Sequence, residues 1–110
     1  MSDRFMIYGA TGYTGKLVAR TAKMQGLNPL LAGRNEARLK SIAAQHGFEY
    51  QAISLDEPEA IDAGLSQVDT VLHIAGPFSQ TSKPMVDACI RTGTHYLDIT
   101  GPVAYTHLTL

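Results

Sequence analysis

The stretch Gly9-Ala10-Thr11-Gly12-Tyr13-Thr14-Gly15-Lys16 decides how this chain is read. Its three glycines follow a short apolar run, Arg4–Gly9 (RFMIYG), and run into a helix-patterned segment, Tyr13–Gln25. Phe, Ile and Tyr make the first run a strand. Such a strand-turn-helix unit aims backbone amides at an anion, because first-turn N–H groups lack intrahelical partners and the helix dipole favours negative charge. Gly9 is expected to make the tight turn, Gly12 to let a pyrophosphate approach the backbone, and Gly15 to let helix and strand pack closely. The spacing is G-x-x-G-x-x-G, not the commoner G-x-G-x-x-G. A Walker-type loop needs a glycine five positions before Gly15 and a hydroxyl after the lysine. Those places hold Ala10 and Leu17, so no Mg²⁺ ligand of that kind exists and Lys16 is expected to be a solvated helix residue.

Outward from this turn the chain alternates in type. Tyr13–Gln25 places Leu17, Val18, Thr21 and Ala22 on one helical stripe, with Gly26 as its stop. Pro29–Ala32 reads as a second strand. Asn35 is expected to cap a helix carrying Leu39, Ile42, Ala43 and His46, ended by Gly47. Phe48–Ile53 is a third strand. Asp56 is expected to cap a short helix with Pro58 in its first turn and Ala60, Ile61 and Leu65 inward. Val68–Ala75 is a fourth strand. Thr81–Thr92 is a helix with Val86, Cys89 and Ile90 inward, and His95–Ile99 is the fifth strand. The order βαβαβαβαβ predicts an α/β fold, a doubly wound parallel sheet with helices on both faces.

The end of the second strand bears on cofactor choice. A site for NAD usually carries an acid there for the ribose hydroxyls, whereas NADP needs a cation for its 2′-phosphate. Here the residues are Gly33-Arg34-Asn35. Arg34 can grip a phosphate with two parallel hydrogen bonds and Asn35 can add a donor, so NADP is favoured; the alternative is a solvated arginine beside a helix cap. Glu36, two residues on, is read as serving the helix dipole. Ala75-Gly76-Pro77-Phe78 ends the fourth strand, where a doubly wound sheet opens a crevice beside its first strand; the alternative is a plain Gly-Pro turn.

Composition narrows the classes. The chain has 110 residues, enough for one domain, with a net charge of −1 and one cysteine. These give no general reason to bind nucleic acid and exclude a disulfide framework. No run approaches the roughly 18 apolar residues of a membrane span, and no signal-peptide core follows Met1, so a cytoplasmic protein is expected. Charge is uneven: residues 1–55 hold seven bases and three acids, and residues 56–110 two bases and seven acids. A positive first half suits a polyphosphate, although solvated helix faces also produce such asymmetry. Cys89 is read as core. His46 and His107 are read as surface residues. His95 and Asp98 are three apart on a strand and so on opposite faces, which leaves no metal site. Asp56 is read first as a cap and second as an adenine contact.

The segments GATGYTGKLVA (9–19), LAGRN (31–35), AGPF (75–78) and DACIRTGTHYLDITG (87–101) together resemble the saccharopine dehydrogenase-like oxidoreductases, which include the trans-acting enoyl reductases. The resemblance covers residues 4–101 and implies an NADP-binding domain of Rossmann type, with a larger substrate and dimerisation domain in the complete protein. By position it implies cofactor contacts from Gly9, Thr11, Gly12, Tyr13, Gly15, Arg34 and the loop Ala75, Gly76, Pro77 and Phe78. His73 departs from the small or amide residue usual there, and residues 102–110 match nothing in the family, so the tail is expected to be a truncated or artefactual end. The implied activity is enoyl- or imine-type hydride transfer on an unknown small-molecule substrate. None of the five tyrosines has a lysine four positions on, the proton-donating pair of short-chain dehydrogenases, so the 110 residues alone are expected to be inactive. Two alternatives stay open: a non-catalytic NADP-sensing module, and a semialdehyde dehydrogenase domain, for which Cys89 is a poor nucleophile.

Overall fold

Two of the strand segments are apolar throughout and two are not, and this difference sets their places in the sheet. The computed structural model describes residues 4–74 and 78–98, with the side chains of 78–81 excepted. Its elements run β1 (Phe5–Tyr8), α1 (Tyr13–Met24), β2 (Leu30–Gly33), α2 (Glu36–His46), β3 (Glu49–Ala52), α3 (Pro58–Leu65), β4 (Thr70–His73), α4 (Phe78–Thr92) and β5 (His95–Asp98). The five strands form one parallel sheet in the order β3-β2-β1-β4-β5. FMIY and LLAG, buried almost throughout, take the centre, where helices cover both faces. EYQA and HYLD, with polar residues and partial exposure, take the edges.

The chain lays β2 and β3 on one side of β1, then crosses through α3 to lay β4 and β5 on the other. Right-handed crossovers therefore put α1 and α2 on one face and α3 and α4 on the other. Strand alternation divides the core to match. Ile7 and Leu31 pack with Ala19, Ala22, Leu39 and Ile42. Met6, Tyr8 and Val71 pack on the opposite face with Ile61, Leu65 and Met85. Each fully buried aliphatic side chain contributes about 1.5–3 kcal/mol relative to exposure. The strand order reverses at β1, so a crevice opens between the carboxyl ends of β1 and β4.

Several local expectations change. On α1 the inward residues are Gly15, Ala19 and Ala22, while Leu17 is 45% exposed and Thr21 also faces out. The helix lies close to the sheet, so small residues meet it and Leu17 turns aside. On α4 the inward set is Met85, Ala88 and Cys89, with Ile90 76% exposed. This helix starts at Phe78, not Thr81, and carries Pro84 in its interior. Asp56 does not cap α3: Glu57 holds that position without a side-chain cap, and the Asp56 amide instead donates to Ser54 Oγ at 3.2 Å. Pro58 at the helix start needs no partner for an N–H it lacks. Cys89 is buried core, and its burial pushes the thiol up to about 11. Residues 75–77, His107 and the tail 102–110 lie outside the described residues.

Candidate functional site

The carboxyl ends of β1, β2 and β4 enclose a cleft of about 800 Å³. One wall is the turn after β1. Gly9 adopts a φ of +97°, a conformation that side-chain-bearing residues rarely take. The Gly9 amide donates to Ala32 O at 2.8 Å and the Ala10 amide to the same oxygen at 3.4 Å, which ties the turn to β2. A Cβ at Gly15 would stand 2.6 Å from Ala10 Cα and closer still to Gly9 O, so only glycine lets α1 begin there. A Cβ at Gly12 meets nothing nearer than 3.8 Å and its φ is −78°, so the backbone does not require that glycine. Gly12 is also the N-cap of α1, with no side-chain capping bond and no acid in the following turn. The first amides of α1 therefore stay open to an incoming anion.

The other wall is the start of α2. Arg34 is exposed and, among the described residues, pairs with no carboxylate. Asn35 caps α2: its Oδ1 accepts from the Arg38 amide at 3.0 Å. Glu36 occupies the first turn of that helix and also lines the cleft.

Beneath the cleft a row of rings crosses β1, β4 and β5. His73 is fully buried, its ring centroid 5.7 Å from Tyr8 and 6.0 Å from Tyr96. Burial holds the imidazole neutral, down to about 4, against an upward pull from Asp98. Tyr8 donates to Ile53 O at 2.8 Å, and burial raises its phenol to about 12. Tyr96 donates to Asp98 Oδ2 at 2.8 Å and is raised as well, first by burial and then by that bond. At neutral pH none of the three rings carries charge. His73 is thus a neutral ring buried between Tyr8 and Tyr96, and it is not among the residues that line the cleft.

Of the expected site residues, Gly9, Thr11, Gly12, Arg34 and Asn35 line the cleft. Gly15 sits behind it as a packing residue, and Tyr13, 80% exposed, points into solvent outside the lining. Phe78 opens α4 instead of belonging to the preceding loop. Ala75, Gly76 and Pro77 fall among the residues not described. Tyr8, Gly33, Arg38 and Ile74 also line the cleft and were not anticipated. Arg38 had a readable signal, since it stands three residues after the Asn35 cap, in the first turn of the helix that follows Arg34. Tyr8 and Ile74 meet only through the β1–β4 pairing, which no local pattern announces.

The family model for the saccharopine dehydrogenase NADP binding domain matches residues 5–109, so the similarity continues past residue 101, where it was expected to stop. A trans-acting enoyl reductase of Mycobacterium leprae is 35% identical over 107 residues, covering 91% of this chain and 26% of that protein. The Mycobacterium tuberculosis trans-acting enoyl reductase is 33% identical over the same shares. The chain therefore spans about a quarter of the length of these curated relatives. Among solved structures, apo saccharopine dehydrogenase from Saccharomyces cerevisiae superposes with a TM-score of 0.79 at 20% identity, covering 96% of this chain and 24% of that one. Citrobacter sp. triphenylmethane reductase complexed with NADP(H) gives 0.75 at 22%, covering 94% and 42%. The open α1 amides, the room above Gly12 and the unneutralised Arg34 fit a phosphorylated dinucleotide. By the match over residues 5–109, the chain belongs to the saccharopine dehydrogenase NADP-binding domain family, an oxidoreductase cofactor domain of Rossmann fold whose cofactor is NADP.

Proposed function

We propose that the cleft holds NADP(H) with its pyrophosphate on the Gly9–Gly15 turn and the first amides of α1. The 2′-phosphate lies at Arg34, and the nicotinamide half runs past Ile74 toward residues 75–78. The observation that carries this is the uncapped, acid-free N-terminus of α1 opening onto the cleft. Bound NADPH supplies the hydride; the protein binds and orients it. In the whole protein the reaction is an enoyl- or imine-type reduction, a reading supported by the trans-acting enoyl reductases at 33–35% identity. Residues 4–101 would form the cofactor domain, and substrate and dimerisation surfaces would come from the portion those relatives have beyond the matched quarter. A cytoplasmic location is part of the proposal. No described helix is long and apolar enough to cross a membrane, which does not itself place the protein.

A second reading, a non-catalytic NADP-sensing module, is favoured by one observation: no tyrosine has a lysine four positions on, so these residues supply no proton donor of that kind. Titration of the 110-residue chain with NADPH should saturate, and Gly12→Val should abolish binding while circular dichroism stays native. Normal NADPH binding by that variant would remove the turn from the site. NADPH consumption with enoyl or imine substrates should stay at background, and steady turnover would place a proton donor within these residues.

A further inference from the structure

We propose that Arg38 is a second cation for the 2′-phosphate, acting beside Arg34, and that Asn35 positions Arg38 through its cap. This rests on the proposed NADP site.

Three observations carry it. Arg38 lines the same cleft as Arg34, with Asn35, Glu36 and Ala37 between them in sequence. The Asn35 Oδ1 accepts from the amide of Arg38 itself, so this side chain fixes the turn from which Arg38 projects. The third is the distribution of ion pairs. Arg4 pairs with Glu49, Lys83 with Asp87 and Arg91 with Asp62. Among the described residues the other six lysines and arginines have no such partner, and all six lie between Lys16 and Lys40. Glu36 stands two residues from each of Arg34 and Arg38 and yet pairs with neither.

Charge balance points the same way. A phosphate monoester carries about −1.5 to −2 at neutral pH. One guanidinium leaves part of that charge unmatched, and Glu36 nearby makes the deficit worse. Two guanidiniums match it, each through charge-assisted bonds. The opposite direction offers Arg38 less. There it borders a groove between α1 and α2 lined by Lys16, Arg20 and His46, with no acid among the lining residues. Turned that way, Arg38 meets like charge; turned toward the cleft, it meets the anion.

Isothermal titration of the 110-residue chain with 2′,5′-ADP and with 5′-AMP, which lacks the 2′-phosphate, tests this. Arg38→Ala should weaken 2′,5′-ADP about tenfold, near the lower bound for a hydrogen bond to a charged group, and leave 5′-AMP unchanged. Arg38→Lys should recover part of the loss, since it keeps charge but not the planar fork. Lys16→Ala, altering the other groove, should change neither. Asn35→Ser, which keeps a capping oxygen, should bind 2′,5′-ADP nearly as the parent does. A loss for Arg34→Ala with none for Arg38→Ala refutes the role of Arg38 and leaves the NADP site standing. Equal losses of both nucleotides in Arg38→Ala refute it too, because the residue then acts through the fold. If Asn35→Ser loses as much as Arg38→Ala, Asn35 touches the phosphate and the positioning claim fails. A parent chain that binds the two nucleotides equally contradicts the NADP site itself.

Discussion

The helices α1 and α2 both begin at the carboxyl edge of the sheet, both follow a central strand, and both direct the positive end of their dipole at one cleft. Their first turns are nevertheless finished in opposite ways. Helix α2 satisfies itself: Asn35 caps it and Glu36 answers the dipole. Helix α1 is capped by a glycine with no side chain to give and has no acid in its first turn. A cap and an acid are worth roughly 1 kcal/mol each to a helix, so α1 forgoes stability that α2 takes. What α1 keeps in exchange is a set of unspent donors. The difference separates a helix end that holds the fold from one that holds a ligand.

Making α1 resemble α2 gives the largest expected effect. Gly12→Asp supplies a capping carboxylate where backbone geometry tolerates a side chain, consuming an amide and repelling pyrophosphate. NADPH and NADH affinity should both fall a hundredfold or more, about 2.7 kcal/mol, while the melting temperature does not drop. Retained binding would mean that the two helix ends do not differ in function. Next is Arg34→Ala, expected to weaken NADPH about ten- to a hundredfold (roughly 1.5–3 kcal/mol) and to spare NADH, with a contrast that shrinks as salt rises. Equal loss for both dinucleotides would make Arg34 a structural residue.

Uncapping α2 comes third. Asn35→Ala should cost about 1 kcal/mol of stability, read as a melting temperature lower by roughly 4–8 °C, with a loss of NADPH affinity smaller than that of Arg34→Ala. A variant that melts normally but binds no NADPH would reverse the assignment of this cap. The smallest effect is expected for Glu36→Gln. Removing an exposed charge beside the 2′-phosphate should tighten NADPH about two- to fivefold at low salt, the scale of a surface ion pair, and cost α2 a few tenths of a kcal/mol. Unchanged affinity at low salt would place Glu36 too far from the phosphate to matter.

The parts of this architecture that sequence made legible are those with one physical solution. The glycine turn is such a part, because Gly9 at positive φ and Gly15 against backbone leave no other residue type. Asn35 is another, since an amide before an amphipathic run caps it. Helix faces were less legible where two stripes compete. Counting large apolar residues turned Leu17 and Ile90 inward, whereas close approach to the sheet selects Ala19 beside the expected Ala22 on α1, and α4 buries Met85 and Ala88 beside the expected Cys89. Asp56 misled for a related reason: its amide is held by Ser54, and the N-cap falls one residue on, at Glu57. The β1–β4 side of the cleft was illegible because Tyr8 and Ile74 converge only after β4 has inserted beside β1. Sheet order is a long-range property that local periodicity does not encode.

The contact between Gly15 and the backbone of Gly9 and Ala10 has a kinetic consequence. With no side chain between helix and turn at Gly15, the backbone of the phosphate seat is already held in place when the dinucleotide arrives. Little conformational entropy should be surrendered at that end of the site, and association should be a single encounter. Stopped-flow traces of NADPH binding should then be one exponential whose rate climbs linearly with concentration. A rate that reaches a plateau would reveal a slow opening step in a turn whose packing leaves no room for one.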